Sequence, residues 1–592
     1  MRRSKPLALL AAASLLTLAA CGGDDGDSSS GDGAPREGDE FVQASEVVKN
    51  PDRADGPAYE IEGATEGGDV TVYVTSDPGP NDLDPTNGWS VTGNSIQQAL
   101  THRSLTQYAR NPDTGGMELI PDLATDLGTP NDDFTEWTFT LRDGIKWEDG
   151  SEITAEEVKF GIERSMDAEN FPSGPGTEYS KQFFLDGEDF TAEDIGNYDG
   201  VTVDGKSITI KMAKPFPDMD WWGAFMAMGP IPLDAQNPAF GRKPLSNGPY
   251  KIESFTPTEE LVLVRNDQWD PDTDPGRHQY PDKYTFEFDA DPTQTDEIML
   301  SGNAQSEAAI ATAIQSVNYQ EGVSTLGERL VKQSSQCTSF IYPRFEKTGG
   351  ATEEGKNVRL AMAFGYDYEA AWQAEGEIPG VTRVPANSVM PPGMAGKHDY
   401  DAGGEAFSYN PEKAKELLAE AGYDEANKFP LTMVYYEKDP LAVAKNEQLV
   451  RGFTDAGFEV KSIPVGVSPY DIYGDPDNKI NQQLTLAGVN WCSDWPSGLT
   501  MLPPLLRAGG YYNTGTYENT EMDARMDAIP EMPLEEQADA WGQLDEDIAT
   551  EDFPLIPTAF RNDLFVSGTK IGNFFGDGSI GAPNYRDIYV MQ

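Results

Sequence analysis

Asp494 lies in the run Trp491-Cys492-Ser493-Asp494-Trp495, a carboxylate three residues after one indole and directly before another. In a cleft that excludes water, a carboxylate gains far more from a positive charge than it does in bulk solvent. Indole rings are suited to wall such a cleft. The same aspartate is equally placed to cap a turn at Pro496-Ser497-Gly498, and spacing does not choose between the two roles. Other chemistry is poorly supplied. The only histidines are His102, His278 and His398, far apart in the chain, which disfavours a His-rich metal site and leaves little room for a Ser-His-Asp hydrolase. The phosphate-binding pattern Gly-x-x-x-x-Gly-Lys-Ser/Thr is absent, so the chain is not an ATPase of that class. Asp270-Pro271-Asp272-Thr273-Asp274-Pro275-Gly276 begins like a calcium loop, but Pro275 occupies the position that needs glycine. No spacing singles out two carboxylates as a glycosidase pair. No catalytic residue, metal or cofactor is expected.

Composition sets the frame for that site. The chain has 592 residues, 43 basic and 100 acidic, and a net charge of −57. Such a surface repels phosphates and excludes nucleic-acid binding as the main business. Hydrophobic residues make up 38% of the chain, enough for packed cores. No apolar run reaches the roughly 20 residues needed to span a bilayer. The start is different: Met1-Arg2-Arg3-Ser4-Lys5 and the apolar stretch 7–20 read as a secretory signal. It ends in Leu18-Ala19-Ala20-Cys21-Gly22, which resembles a bacterial lipobox and implies cleavage before Cys21 and diacylglycerol on its sulfur. Residues 21–68 are polar, acidic and Gly/Ser-rich at their start, and are expected to be a flexible tether. With Cys21 lipidated, Cys337 and Cys492 remain, either bonded to each other in an oxidising compartment or present as two buried thiols.

Regular elements are legible around these landmarks. Period-two alternation puts Val70, Val72 and Val74 on one strand face, and does the same for Trp137, Phe139 and Leu141. Ile208, Ile210 and Met212 form a third such face, and Tyr284, Phe286 and Phe288 a fourth. Thr154 and Glu157 form a capping box ahead of Val158 and Ile162. Asn410-Pro411 opens a helix with the apolar stripe Ala414, Leu417, Leu418 and Ala421, closed by Gly422. Strands and helices mix along the whole chain, so the class is α/β or α+β.

Five stretches, in order, carry a family resemblance. They are Leu-Arg-Asp-Gly-Ile-Lys-Trp-Glu-Asp-Gly at 141–150 with the helix start at 153–158; Asn247-Gly248-Pro249-Tyr250-Lys251 with Leu263-Val264-Arg265-Asn266; residues 357–367, with Val358-Arg359; Pro-Glu-Lys-Ala-Lys-Glu-Leu-Leu-Ala-Glu-Ala-Gly-Tyr at 411–423; and residues 490–496 around Asp494. Together they resemble the family 5 extracellular solute-binding proteins of ABC importers, the oligopeptide- and dipeptide-binding group. The 141–150 and 247–250 segments also read as structural punctuation, fixed by Gly and Pro. The resemblance implies an α/β, two-lobe periplasmic-binding-protein-like fold of class II with an additional small subdomain. It divides the chain into a signal peptide at 1–20, the tether at 21–68, lobe one from 69–105, 246–336 and 556–592, the subdomain at 106–245, and lobe two at 337–555. It implies a peptide receptor on the extracellular face of the membrane, monomeric and lipid-anchored, that serves ABC permease subunits. Asp494 would hold the ligand's α-ammonium group. Trp491, Trp495, Trp89 and Val91 would line the site, the segment 89–91 offering extended backbone to a peptide held as an added strand. Tyr179, Tyr511 and Tyr512 are further candidates for the cleft. A Cys337–Cys492 disulfide would brace the floor beneath Asp494. No residue for the ligand carboxylate is assigned. The same receptor type for a non-peptide solute is the near alternative, and a secreted hydrolase or adhesion protein the distant one.

Overall fold

Alternating strands and capped helices form where the residue pattern places them. The computed structural model describes residues 41–75, 77–401, 408–510 and 512–592. The signal peptide and Cys21 lie outside the described residues, as does Tyr511. The strands are β1 (Val48–Lys49), β2 (Asp69–Tyr73), β3 (Thr106–Arg110), β4 (Met117–Pro121), β5 (Thr129–Pro130), β6 (Glu136–Thr140), β7 (Val201–Asp204), β8 (Ser207–Lys211) and β9 (Tyr250–Thr256). They continue with β10 (Glu260–Arg265), β11 (Lys283–Glu287), β12 (Ala309–Ala311), β13 (Leu330–Pro343), β14 (Arg383–Val384), β15 (Pro430–Tyr436), β16 (Glu459–Val465), β17 (Leu486–Cys492) and β18 (Ile556–Ser567).

A mixed sheet runs through the molecule in the order β17-β13-β18-β12-β2-β11-β10-β9, with β14 beside β18. Its two long members, β13 of 14 residues and β18 of 12, run between two hydrophobic cores. Leu330–Ser334 pair with Val566–Asn562 on the side of the β2 core, where Val70, Val72 and Phe286 are buried. Thr338–Ile341 pair with Phe560–Ile556 on the side of a second core, built on the helix Glu353–Gly365 and the parallel pair β15-β16. The register shifts between Ser334 and Thr338, so residues 335–337 bulge out of the ladder between the two cores. The antiparallel sheet β5-β6-β8-β7 forms a separate layer, over which Trp137, Phe139, Ile208 and Ile210 are buried. The architecture is thus the two-lobe α/β fold with a smaller sheet layer attached.

Three helices position the site: α1 (Val91–Ile96), α2 (Ala155–Ser165) and α3 (Pro175–Phe183). The expected capping box starts α2, with Thr154 Oγ1 accepting from the Glu157 amide and the Glu157 carboxylate accepting from the Thr154 amide. Thr154→Ala is expected to destabilise the fold by about 1 kcal/mol in urea unfolding. The 141–150 segment is structural as expected. Trp147 is buried and its indole donates to Glu157 Oε1 at 3.0 Å, while Gly150 takes a positive φ of 89°. At Gly248 a side chain would meet the Leu100 carbonyl oxygen at 2.6 Å, so close backbone approach requires glycine there.

The expected tether needs correction. Residues 41–68 run along the body: β1 pairs in parallel with β4, Val47 is buried, and Lys49 Nζ reaches Asp220 Oδ2 at 2.6 Å. The Gly/Ser-rich composition that suggested a tether is concentrated before residue 41. The later stretch carries Val47 to bury and Lys49 to pair. Among the described residues, no helix is long and apolar enough to cross a membrane.

Candidate functional site

The bulge of β13 and the end of β17 meet at one wall of a cavity of about 350 Å³. Cys337 and Cys492 lie opposite each other in the β13-β17 ladder and are bonded, so the floor under residues 493 and 494 is tied across strands. Ser493 reinforces it: its amide donates to the Gln336 carbonyl at 2.8 Å and its hydroxyl to Gln336 Oε1 at 2.8 Å. Next to it, alternation along β18 turns Arg561, Asp563 and Phe565 to the same face, into the cavity. The rest of the lining comes from α1, from Tyr108 on β3, and from the hairpin loop at 578–583, whose Gly578 and Gly581 pack on residues 333–335 of β13.

Asp494 follows Cys492 and Ser493 at the end of β17 and lines the cavity, half-buried. The turn that follows is capped by Ser497, whose hydroxyl accepts from the Leu499 amide, so Asp494 is not used for capping. Its carboxylate accepts a hydrogen bond from the Tyr179 hydroxyl of α3. Among the described residues it has no cationic partner. Burial pushes its pKa up to about 7; the Tyr179 hydrogen bond opposes that shift and the Glu178 charge adds to it. A carboxylate held this way gains strongly from any ammonium group that reaches it.

The aromatic residues divide. Trp495, expected to wall the site, is instead fully buried beneath it. Its ring packs 4.6 Å from Tyr179, 6.0 Å from Trp222 and 6.1 Å from Phe216, and its Nε1 donates to Asp218 Oδ2 at 2.8 Å. The physical reason is the socket itself: a large ring with one polar hydrogen fits an aromatic cage that ends in a carboxylate. Trp491 also faces away from the cavity, its ring 4.5 Å from Tyr512 and its Nε1 bonded to the Thr500 carbonyl at 2.7 Å. Cys337, Cys492, Trp89, Val91 and Asp494 do line one cavity.

The segment carrying Trp89 is held by a buried ion pair. Both oxygens of Asp84 accept from the Arg164 guanidinium of α2, at 2.6 and 2.7 Å. Trp89 sits edge-on to Tyr179 and Phe225 at 6.3 and 6.1 Å and remains 37% exposed. The backbone beyond differs from the expectation. Ser90 caps α1 by accepting from the Gly93 amide, so Val91 opens a helix rather than continuing an extended run. Thr-Gly-Asn-Ser after Val91 carries no alternation to sustain a strand, and a serine cap favours the turn.

Sequence reasoning missed Tyr108, Arg561, Asp563 and Asp77, all of which line the cavity. The signal for β18 was its alternation of Arg561, Asp563 and Phe565; Tyr108 and Asp77 carry none. Tyr108 is 4% exposed and its hydroxyl has no partner among the described residues. No histidine lines the cavity. His102 is buried and pushed down to about 4 by burial, His278 pairs with Asp587, and His398 with Glu546 and Asp539. Among the described residues, no cluster of three or more His, Cys, Asp or Glu is arranged to hold a metal ion.

The chain matches the model of bacterial extracellular solute-binding proteins, family 5, over residues 118–513. It is 23% identical over 526 residues to the oligopeptide-binding protein OppA of Bacillus subtilis (strain 168), covering 84% of this chain and 89% of that one. It is 21% identical over 532 residues to the dipeptide-binding protein DppE of the same organism, covering 86% and 90%. Among solved structures, clavulanic acid biosynthesis oligopeptide binding protein 2 superposes with a TM-score of 0.78 at 22% identity, over 89% of this chain and 96% of that one. At that identity the likeness speaks for the fold.

Proposed function

This chain belongs to the bacterial extracellular solute-binding proteins of family 5, and from that premise we propose that it is a peptide receptor of an ABC importer. Peptide enters between the lobes, the lobes shut, and the closed form is presented to permease subunits in the membrane. A lipid on Cys21 keeps this monomeric receptor at the extracellular face. The lobes exchange chain near residues 337 and 556, which fall on β13 and β18, and the subdomain spans 106–245. The observation that carries the reading is Asp494: a carboxylate on a cavity wall with no cationic partner among the described residues, bonded only through a tyrosine hydroxyl. The α-ammonium of a peptide supplies the missing charge. Named relatives that bind oligopeptides and dipeptides support the ligand class. A hydrolase of the Ser-His-Asp kind would need a histidine at the site, and the three histidines sit elsewhere. Calorimetry with a mixed library of short peptides tests the reading: saturable binding is expected, and its absence at millimolar peptide would overturn it.

The raised pKa of Asp494 gives that binding a pH profile. The empty fold favours the protonated acid, a preference fully present below about pH 4 and lost as the pH rises through about 7. Ammonium capture needs the carboxylate, so binding releases a proton at acidic pH. Affinity should fall about tenfold per pH unit below pH 7, and fall again above about pH 8 as the peptide amine loses its own proton. Tyr179→Phe removes the hydrogen bond that lowers the Asp494 pKa, and should move the acid limb to higher pH. Titration calorimetry from pH 5 to 9 checks both limbs.

A further inference from the structure

Beyond Asp494, the cavity carries a charge imbalance that bears on which peptides it takes. Its charged lining consists of Asp77, Asp494, Asp563 and Arg561. Arg561 is already engaged: its Nε and Nη2 donate to Asp563 Oδ1 at 3.1 and 2.9 Å. That pair is internally neutral, and neither Asp563 Oδ2 nor Arg561 Nη1 has a hydrogen-bond partner among the described residues. Asp77 accepts the Gly79 amide at 2.8 Å and the Thr92 hydroxyl at 2.7 Å, both neutral donors. Among the described residues, no cation pairs with Asp77 or Asp494.

A peptide without charged side chains carries one ammonium and one carboxylate. Its ammonium satisfies Asp494, but its carboxylate cancels that gain in charge, so the cavity with this guest keeps the net negative balance of its lining. In a shut, water-poor cavity, uncompensated like charges are costly, and complementary ones set specificity. The unpartnered hydroxyl of buried Tyr108, which also lines the cavity, is a further sign that the cavity is completed by a polar guest.

We propose that this cavity selects cationic peptides, in which a lysine or arginine side chain complements Asp77 and the open oxygen of Asp563 while the terminal ammonium meets Asp494. The assignment rests on the peptide-receptor reading above and deepens it. The net charge of the whole chain, −57, acts in the same direction at long range by steering cations to the surface.

The test is calorimetry on the full chain with alanine peptides of two to five residues. Each is compared with versions carrying one lysine or one glutamate beyond the first position. At least one lysine peptide should bind about tenfold or more tightly than its alanine parent, and the glutamate versions more weakly than the parent. The lysine preference should shrink as salt is raised. Asp77→Asn and Asp563→Asn should each reduce the lysine-to-alanine affinity ratio, and the double variant should bring it below about threefold, with circular dichroism and melting showing that the fold persists. Equal affinity for alanine and lysine peptides, or a preference for glutamate, overturns the inference while leaving the peptide-receptor reading intact. Failure of every peptide to bind overturns both.

Discussion

Replacing Asp494 with alanine is expected to cost about 2–5 kcal/mol of peptide binding, a loss of roughly 30-fold to several thousand-fold in Kd. The loss is large because the ammonium would enter a site whose remaining partner there, the Tyr179 hydroxyl, is neutral. Two controls separate this from damage to the fold. In the empty protein Asp494 is held above its ordinary pKa by burial, so ionising it at neutral pH works against folding. Asp494→Asn keeps a hydrogen-bond acceptor for Tyr179 and removes that charge, so its melting temperature at pH 8 should equal or exceed that of the parent chain while peptide binding is lost. Such a trade of stability for function is usual at binding sites. N-acetylation of the peptide should cause a comparable loss in the parent protein and little further loss in Asp494→Ala. A double-mutant cycle of that form isolates the contact. Full additivity of the two losses would place the ammonium elsewhere.

The second large effect belongs to Trp495. Its ring fills a socket of Tyr179, Phe216, Trp222 and Phe225, and its Nε1 is bonded to buried Asp218. These socket residues come from the segment 106–245, whereas Trp495 follows β17, so the ring joins two parts of the chain distant in sequence. Trp495→Ala empties the socket and leaves the Asp218 carboxylate without its indole donor. About 3–5 kcal/mol of stability should be lost from the cavity, with more from the abandoned acceptor. Trp495→Phe refills most of the volume and forfeits the hydrogen bond, so it should cost about 1–3 kcal/mol. Urea unfolding of the two variants measures the difference. An alanine variant that loses less than 1 kcal/mol would contradict complete burial. Because Trp495 adjoins Asp494, the alanine variant should also bind peptide more weakly.

How much of this could be read from the chain depends on where the signal resided. Strand faces such as Val70-Val72 and Trp137-Phe139 were legible because alternation reports a buried face directly. The cap at Thr154 was legible because the box needs only two residues at fixed spacing. Asp494 was located by its segment, but spacing alone left it between ligand contact and turn cap. Ser497 takes the cap, a contact among neighbours that no pattern encodes, and this removes the capping role from Asp494. Sequence points Trp495 to the cavity because an indole beside a carboxylate looks the same whether it walls a pocket or fills a core. Its burial is decided by Tyr179 and Trp222, hundreds of residues earlier in the chain. Tyr108, Asp77 and Asp563 were missed for the same reason: each is ordinary in its own segment, and only the folded chain brings them to one cavity. Residues 41–68 read as tether from sequence because the acidic, glycine-rich run before them dominates local composition, and a two-residue strand such as β1 gives no periodicity to detect.

The most direct measurement is a crystal structure of the chain grown with a saturating short peptide. The peptide's terminal nitrogen is expected within about 3 Å of an Asp494 carboxylate oxygen, inside the space bounded by Trp89, Tyr108 and Arg561. A peptide seated there with its amine directed away from Asp494, or a guest lodged outside that space altogether, would contradict it.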